Sequence, residues 1–292
     1  MKIFLNASEI SAMIGKNKFK QPSEVIFRIW QKYFYDDFNN TVKNLDKKSI
    51  KVIPKETDTE SVKRIIKETK IDVKKELKDC LKSENINDMH KKKQEIIKKL
   101  PTNISKEQKN EFKKSLENMT NTNFGTRNEN SIFIKYKEKT GNNAILTNEF
   151  YKRKIYEYAY DGNNIEWYLL GKVDGLILNE ENESENRIIE IKNRMYRYFY
   201  QLREYEKIQT YSYMYILNHR KAHLVEALKN KDCDINIIDI EFDDEYWEYM
   251  YSCIEDFIKY FMNVFINSNE LKELIIIDED LFNNTQNPSI QV

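Results

Sequence analysis

The sequence predicts an α/β protein of the α+β kind, in which helices flank a central mixed β-sheet and a charged helical segment is inserted. Short β-branched runs separated by turn residues occur between positions 144 and 192, and helical periodicity precedes and follows them. Positions 39–121 are rich in Lys, Glu, Ile and Asn and poor in aromatic residues. We therefore expect N-terminal helices over 1–38, a helical insertion over 39–121 and the sheet-containing core over 122–292.

The spacing of apolar residues places the individual elements. Apart from pieces within the insertion, helices are predicted over 7–34 with a break at Gly15, from near Thr126 to Gly141, over 200–218 and over 244–266. Strands are predicted over 144–150, 155–160, 165–178, 188–192, 222–228 and 235–242.

Composition bounds the class of protein. The 292 residues are 40% hydrophobic and 33% charged, with a formal net charge of zero, which is typical of a folded globular chain. The charge is unevenly placed: positions 41–120 hold 22 basic and 14 acidic residues, whereas positions 226–292 hold 4 and 16. A polyanion responds to the local field, so overall neutrality does not exclude nucleic acid. No apolar run is long enough to span a bilayer, and we expect an intracellular protein.

Several kinds of site are disfavoured. Three widely separated cysteines, Cys80, Cys233 and Cys253, cannot form a four-cysteine zinc or iron–sulfur site and are predicted to be free thiols. His219 and His223 are spaced by four residues but straddle a helix end and a strand, which disfavours a shared metal. The sequence has no phosphate-binding loop of the ATPase kind and no serine-hydrolase elbow.

Acidic residues on two predicted strands carry the strongest chemical signal. Asp174 ends an apolar strand, and Glu190 lies within the next one, in IIEIK. A carboxylate within an apolar strand is costly to bury unless it is paired or binds a metal. Strand alternation places Glu190 and Lys192 on one face, with Ile189 and Ile191 on the other.

These residues could hydrolyse a phosphodiester with a divalent cation. Asp174, Glu190 and the carbonyl of Ile191 offer oxygen ligands of the kind that Mg²⁺ prefers, with Mn²⁺ as a substitute. The Lys192 ammonium could position the attacking water or stabilise developing charge. An ordinary solvent-facing Glu/Lys pair is the alternative, because this short motif is common by chance.

The motifs occur in an order that resembles a known family. The order is Glu129 in GTRNE, Asp174 in GKVDG, Glu190 and Lys192 in IIEIK, and Gln209 in KIQTYSYM, after an N-terminal NASEISAMIG that contains Ser8. With these motifs the chain resembles the YqaJ-type viral recombinase and lambda-exonuclease family of the PD-(D/E)xK nuclease superfamily. The resemblance covers positions 1–34 and 124–225, and the AT-rich codon bias that the composition suggests would fit a large DNA virus.

The resemblance implies a PD-(D/E)xK restriction-endonuclease-like core and a Mg²⁺-dependent deoxyribonuclease, an exonuclease on linear DNA in recombination, repair or degradation of foreign DNA. It implies that Glu129 is a further catalytic or metal-binding carboxylate and that Ser8 and Gln209 contact DNA phosphates. Arg127 and Lys172 flank the carboxylates and are candidates for phosphate contacts. DNA, a single-strand-annealing or helicase protein and a second copy of the chain are the partners considered, with the host cytoplasm as the location if the protein is viral.

Other interpretations stay open. A restriction-type endonuclease would share the fold, and a non-catalytic nucleic-acid-binding scaffold would share it with a degenerate site. Relatives that prefer a 5′ end carry an arginine before the N-terminal motif, where Lys2 is the only cation of this chain. The sequence therefore leaves polarity, exonuclease against endonuclease action and DNA against RNA undecided.

Overall fold

The computed structural model describes residues 1–45, 57–83, 85–147, 149–160, 162–179, 181–194, 197–228, 234–267 and 269–277. The strands are β1 (Lys2–Asn6), β2 (Ala144–Leu146), β3 (Phe150–Tyr160), β4 (Asn163–Lys172), β5 (Gly175–Ile177), β6 (Arg187–Arg194), β7 (Lys221–Leu228) and β8 (Asn236–Glu241). The helices are α1 (Ile10–Met13), α2 (Pro22–Tyr33), α3 (Tyr35–Asn44), α4 (Asp58–Thr69), α5 (Lys74–Leu81), α6 (Ile86–Lys98), α7 (Lys106–Thr140), α8 (Glu204–Leu217), α9 (Asp244–Asn267) and α10 (Asn269–Ile277). Short 3₁₀ turns occupy Ala7–Glu9 and Glu183–Glu185.

The strands form two mixed sheets, and the chain passes directly from one to the other. A three-stranded sheet has the order β1-β4-β3, and a five-stranded sheet has the order β2-β5-β6-β7-β8. Only Val173 and Asp174 separate β4 of the first sheet from β5 of the second. Strands β5 and β6 are antiparallel, whereas β6 and β7 are parallel and are joined through α8. The predicted fold class, a mixed α/β architecture with helices flanking the sheet, is confirmed.

A large hydrophobic core joins the N-terminal helices, α8 and α9 to the sheets. Its members include Ile3 and Leu5 of β1, Trp30 of α2, Trp167 of β4 and Phe261 of α9, all at most 1% exposed. Burying such side chains stabilises the fold by about 1.5–3 kcal/mol each. This core fixes the ends of β4 and the face of α8 on which the candidate site is built.

The charged segment has a hydrophobic core of its own. Val62, Ile65, Met89, Ile96 and Phe112 are fully buried and belong to one cluster contributed by α4, α6 and α7. Thr57 and Asn85 cap α4 and α6 by accepting hydrogen bonds from Glu60 N and Asp88 N, as expected for such residues. The helical structure predicted there is confirmed, while the domain boundaries themselves stay a prediction.

Two expectations about elements were wrong. The helix predicted from near Thr126 begins at Lys106, so α7 is one helix of 35 residues that runs across position 121. The sequence analysis also missed β1, which pairs in parallel with β4 from Lys2↔Glu166 to Asn6↔Leu170. A five-residue strand has too little periodicity to be distinguished from the start of a helix. Within the described ranges, no helix is both long and apolar enough to cross a membrane.

Candidate active site

Asp174 lies at the junction of β4 and β5, where the chain passes from one sheet to the other. Its Oδ2 accepts a hydrogen bond from the backbone N–H of Ile191 at 2.7 Å. Because β5 pairs with β6 only as far as Gly175↔Ile189, the Asp174 side chain takes the place of a strand neighbour. Burial raises the pKa of Asp174 to about 6, against the effect of that hydrogen bond.

Glu190 and Lys192 lie together on one face of β6, as strand alternation predicts. The Lys192 Nζ donates to Glu190 Oε1 at 2.6 Å, whereas Ile189 and Ile191 pack into the core on the opposite face. Glu190 is 4% exposed, and its second oxygen, Oε2, is buried and has no hydrogen-bond partner among the described residues. Burial raises the pKa of Glu190 to about 7, although Lys192 acts against this.

Lys192 is held by α8 as well as by its own strand. Its Nζ donates to Gln209 Oε1 at 3.2 Å, and Gln209 Nε2 donates to the Tyr213 hydroxyl at 2.8 Å. Burial alone would lower the pKa of Lys192, but the neighbouring carboxylates, led by Glu190, outweigh it and raise that pKa. The lysine therefore stays protonated at neutral pH. Sequence analysis identified Gln209 but not Tyr213.

Glu129 on α7 completes the acidic group. Burial raises its pKa, and the negative charge of Glu190 raises it further, while Lys172 and Lys192 act in the opposite direction. The charge of Glu129 also contributes to the raised pKa of Asp174. Glu129 thus lies within the electrostatic reach of both strand carboxylates. One turn earlier, the carbonyl of Gly125 accepts a hydrogen bond from Asn193 Nδ2 at 2.9 Å, which ties this part of α7 to β6.

Two glycines on either side of Asp174 let the helices approach the strand. A Cβ on Gly171 would lie 2.5 Å from the ring of Tyr213, and a Cβ on Gly175 would lie 2.5 Å from the ring of Phe133. Real side chains do not approach this closely, so each position accommodates a ring only because it lacks a Cβ. The GKVDG motif thereby brings α8, with Gln209, and α7, with Glu129, against the strand that carries Asp174.

The other residues predicted for the site are Ser8, Lys172, Arg127 and the Ile191 carbonyl. Ser8 is exposed on the 3₁₀ turn that packs against α8, and Lys172 is exposed at the end of β4. Arg127 lies on α7, two residues before Glu129, but its side chain is outside the described residues. The N–H and C=O of a strand residue point to the same edge, so the Ile191 carbonyl leaves β6 on the side where its N–H meets Asp174.

Sequence analysis missed a buried ion network next to the site. Arg194 donates to Glu206 Oε1 at 2.5 Å and to Glu226 Oε1 at 2.7 Å, and all three side chains are at most 8% exposed. Glu226 also accepts hydrogen bonds from the backbone N–H groups of Phe199 and Tyr200. The network joins the end of β6, the start of α8 and β7. It fixes where α8 begins, and thus where it carries Gln209.

The acidic group fits a divalent cation by its chemistry. Its side chains offer carboxylate oxygens, the ligands that Mg²⁺ prefers, and Mg²⁺ is often held by only one or two carboxylates with water and substrate phosphate. The partnerless Oε2 of Glu190 is a buried acceptor of the kind that a cation would satisfy. Among the described residues, no group of three or more His, Cys, Asp or Glu side chains is arranged so that it could hold a metal ion.

The histidines and cysteines lie apart from the acidic group. His223 contacts the Tyr136 hydroxyl through Nδ1 at 2.5 Å and Arg187 through Nε2 at 2.7 Å. Cys80 is a buried thiol that donates to the Met89 carbonyl at 3.6 Å, and Cys253 is a half-buried thiol, while Cys233 is outside the described residues.

Comparison with known proteins gives only distant likenesses. No protein-family model matches the chain, and no curated protein matches it. Among solved structures, the chain is similar to an alkaline exonuclease (LHK-Exo) from Laribacter hongkongensis, with 13% identity over 69% of this chain and 86% of that chain and a TM-score of 0.35. The complex of LHK-Exo with dAMP gives 14% identity over 64% and 86% and a TM-score of 0.35. The protein SSO0001 gives 15% identity over 89% and 98% and a TM-score of 0.34. At these values the likenesses decide nothing about activity.

Proposed function

We propose that this protein is a metal-dependent nuclease that hydrolyses phosphodiester bonds of DNA and acts as an exonuclease on linear molecules. The observation that carries the proposal is the meeting of Asp174, Glu190 and Lys192 beside Glu129, with one Glu190 oxygen buried and unpartnered. A buried acidic group is destabilising by itself. Its presence next to a protonated lysine is explained by a site that binds a cation and a phosphate.

Each side chain has a distinct role in this proposal. Asp174, Glu190, the Ile191 carbonyl and Glu129 would hold Mg²⁺ or Mn²⁺, and the bound ion would supply positive charge for the phosphorane-like transition state. Lys192 holds its proton, so it acts as a hydrogen-bond donor to the developing negative charge rather than as a base. Gln209 accepts from Lys192 and fixes the direction of the ammonium group.

Substrate contacts surround the acidic group. Lys172, at the end of β4, offers an exposed cation for a phosphate, and Gln209 reaches the site from α8. Ser8 lies on the turn packed against α8, the helix that carries Gln209, and this supports a phosphate contact for Ser8. We also keep Arg127, in the GTRNE motif of α7, as a candidate for a phosphate contact. Phosphate contacts of this kind position a strand without reading its sequence.

The test is degradation of end-labelled linear duplex, single-stranded and closed circular DNA, with Mg²⁺ and with a chelator. We expect Mg²⁺-dependent loss of linear DNA, with closed circles left intact. The variants Glu190→Ala and Lys192→Ala should lower the rate by about 10²-fold or more, as removal of a transition-state contact does. Glu241→Gln, at an exposed position on β8 of the same sheet, is the matched control and should act like the wild type.

The outcomes separate the alternatives. Cleavage of closed circles would replace the exonuclease by an endonuclease of the same site. Full activity in both Glu190→Ala and Lys192→Ala would refute the site assignment. DNA binding without cleavage, in any divalent cation, would leave a non-catalytic nucleic-acid-binding scaffold.

A further inference from the structure

A groove lined by lysines lies on the insertion, between α4, α5 and α7, and we call it the lysine groove. Its volume is about 1100 Å³. Six lysines line it, against a single acid, Asp72. They are Lys63, Lys67, Lys70, Lys74, Lys78 and Lys82. The aliphatic part of the lining consists of Ile66, Ile71, Leu77 and Leu81. The lysine groove therefore combines an apolar floor with a cationic rim.

The six rim lysines are not neutralised by the fold. All are exposed, and none has a carboxylate within ion-pair distance among the described residues. Several other cations of the insertion are paired: Arg64 with Glu68 and Glu111, Lys92 with Asp88, and Lys99 with Glu76. Within α4 and α5, lysines recur at four-residue spacing, and like charges at that spacing destabilise a helix. The lysine groove thus brings six unpaired cations together around one cavity.

Lys70 adds an independent sign of function. It ends α4 in the left-handed conformation, with φ at 55°, where glycine or asparagine is the unstrained choice. A cation near the end of a helix is favourable for the helix dipole, but Lys67 already provides one in the last turn of α4. The strained lysine therefore has no evident benefit to folding. Its position on the rim of the lysine groove is instead suited to binding an anion.

The apolar floor of the lysine groove favours an acidic protein segment over a nucleic acid as the anion that binds there. Ile66, Ile71, Leu77 and Leu81 are all half-buried, so they keep apolar surface open to a ligand. The lining includes no arginine and no aromatic side chain, the residues that grip phosphates in two places and stack on bases. Aliphatic surface gains nothing from a phosphate backbone. It gains from contact with leucine, isoleucine or phenylalanine side chains.

We propose that the lysine groove docks an acidic amphipathic helix of a partner protein. The apolar side chains of that helix, at spacings of three and four residues, lie on the floor, and its Asp and Glu side chains face the two lysine rims. Helix α7 contributes Asn123 to the groove and Glu129 to the acidic group. These residues are six positions apart, or about 9 Å along the helix axis. One edge of the lysine groove therefore lies within two turns of α7 from Glu129.

The test uses a fluorescein-labelled synthetic peptide of glutamate and alanine with leucines at helical spacing, and binding is followed by fluorescence anisotropy. A peptide of the same composition with scrambled leucines and a short DNA duplex are compared with it. Lys67→Gln/Lys78→Gln should weaken binding of the helical peptide by about five-fold, since two cation–anion contacts are lost. Lys113→Gln/Lys114→Gln removes two exposed lysines of α7 outside the groove and should leave the affinity within about two-fold.

Lys70→Gly separates binding from folding. Glycine relieves the left-handed backbone, so we expect a higher Tm together with weaker peptide binding and unchanged degradation of DNA. The proposal is overturned if the scrambled peptide binds equally well, if both lysine pairs weaken binding alike, or if the helical peptide does not bind. Preferential binding of the DNA duplex that is lost in Lys67→Gln/Lys78→Gln would make the groove a nucleic-acid site instead. A dimer of the wild type that this variant dissociates would make a second copy the occupant.

Discussion

At the scale of single residues, the candidate site contains buried acids that lower the stability of the folded protein. Asp174 and Glu190 are acids placed among apolar strands, and burial raises the pKa of each, to about 6 and about 7. Folding therefore makes each carboxylate harder to ionise than it is in the unfolded chain, which lowers stability at neutral pH. Such placement is common where carboxylates serve binding or catalysis.

Replacing Asp174 by asparagine should stabilise the protein while abolishing activity. The amide oxygen can still accept from Ile191 N, and both the burial of a charge and the repulsion from Glu129 disappear. We expect unfolding in urea at pH 8 with a chelator to require about 1–2 kcal/mol more than in the wild type. A less stable Asp174→Asn protein would show that the carboxylate is needed for folding.

His223 should make stability depend on pH. Burial lowers its pKa, and its Nε2 faces both Arg187 and Asp239 while its Nδ1 faces the Tyr136 hydroxyl. The unfolded chain therefore takes up the proton first. Stability is present above the unfolded pKa and is lost as the pH falls through it, about 6.5 for a free histidine.

The measurement is the free energy of unfolding at several pH values from neutral to mildly acidic. His223→Gln should flatten the profile by at most about 1.4 kcal/mol per pH unit, the limit for one proton. Parallel profiles for the variant and the wild type would mean that other groups cause the acid sensitivity.

Residue chemistry was the part of the site that sequence could predict. Glu190 and Lys192 stand out because an acid and a lysine with period two interrupt an apolar strand. Tyr213 does not stand out, because α8 holds four tyrosines and only packing selects the one that meets Gln209. The Arg194 network joins residues 12 and 32 positions apart, and such pairings have no local signal.

At the scale of elements, the close packing of α8 on β4 requires a glycine, Gly171, on the strand. Gly171 accommodates the ring of Tyr213, and the same contact brings Gln209 to Lys192. The position of α8 is therefore set by the contact between β4 and the ring of Tyr213.

Gly171→Ala should push α8 away from β4. The new Cβ would clash with the ring of Tyr213, costing about 1–3 kcal/mol, and kcat should fall because Gln209 no longer holds Lys192. Combining it with Tyr213→Leu should recover part of the stability but not the activity.

Gly162→Ala is the matched control for Gly171→Ala. Gly162 has φ at +70° and no atom within 4 Å of a Cβ, so alanine strains the hairpin turn by about 1 kcal/mol without touching the site. Equal losses of kcat in the two variants would show that stability, rather than helix position, limits activity.

The strands of the larger sheet were mostly predictable because their β-branched runs end at turn residues. Strand β1 was not, since its pairing with β4 is formed by residues more than 160 positions apart. The start of α7 was misplaced because the composition changes near position 121 while the helix does not. A change in composition along the chain therefore does not mark the start of a helix.

At the scale of the whole molecule, the insertion and the sheet-containing core bury separate sets of side chains. Ile65 is fully buried in the insertion cluster, and Trp167 is fully buried in the main one. Separate cores allow one part of a chain to open while another stays closed.

Ile65→Ala should therefore loosen the insertion selectively. A buried Ile→Ala change costs about 2–5 kcal/mol, and we expect faster hydrogen exchange in α4 and α6 with unchanged protection in β6 and α8. Uniform loss of protection would indicate that the chain unfolds as one cooperative unit.

Helix α7 contributes side chains to two hydrophobic clusters, that of the insertion and a smaller third one on the five-stranded sheet. Phe112 and Leu116 near its start lie in the insertion cluster, while Ile132, Phe133 and Tyr136 near its end pack on the five-stranded sheet. Its 35 residues form a rod of about 50 Å. Glu129 lies 23 positions after Lys106 on this one helix, so about 35 Å of unbroken helix, rather than a loop, joins the start of α7 to the carboxylates.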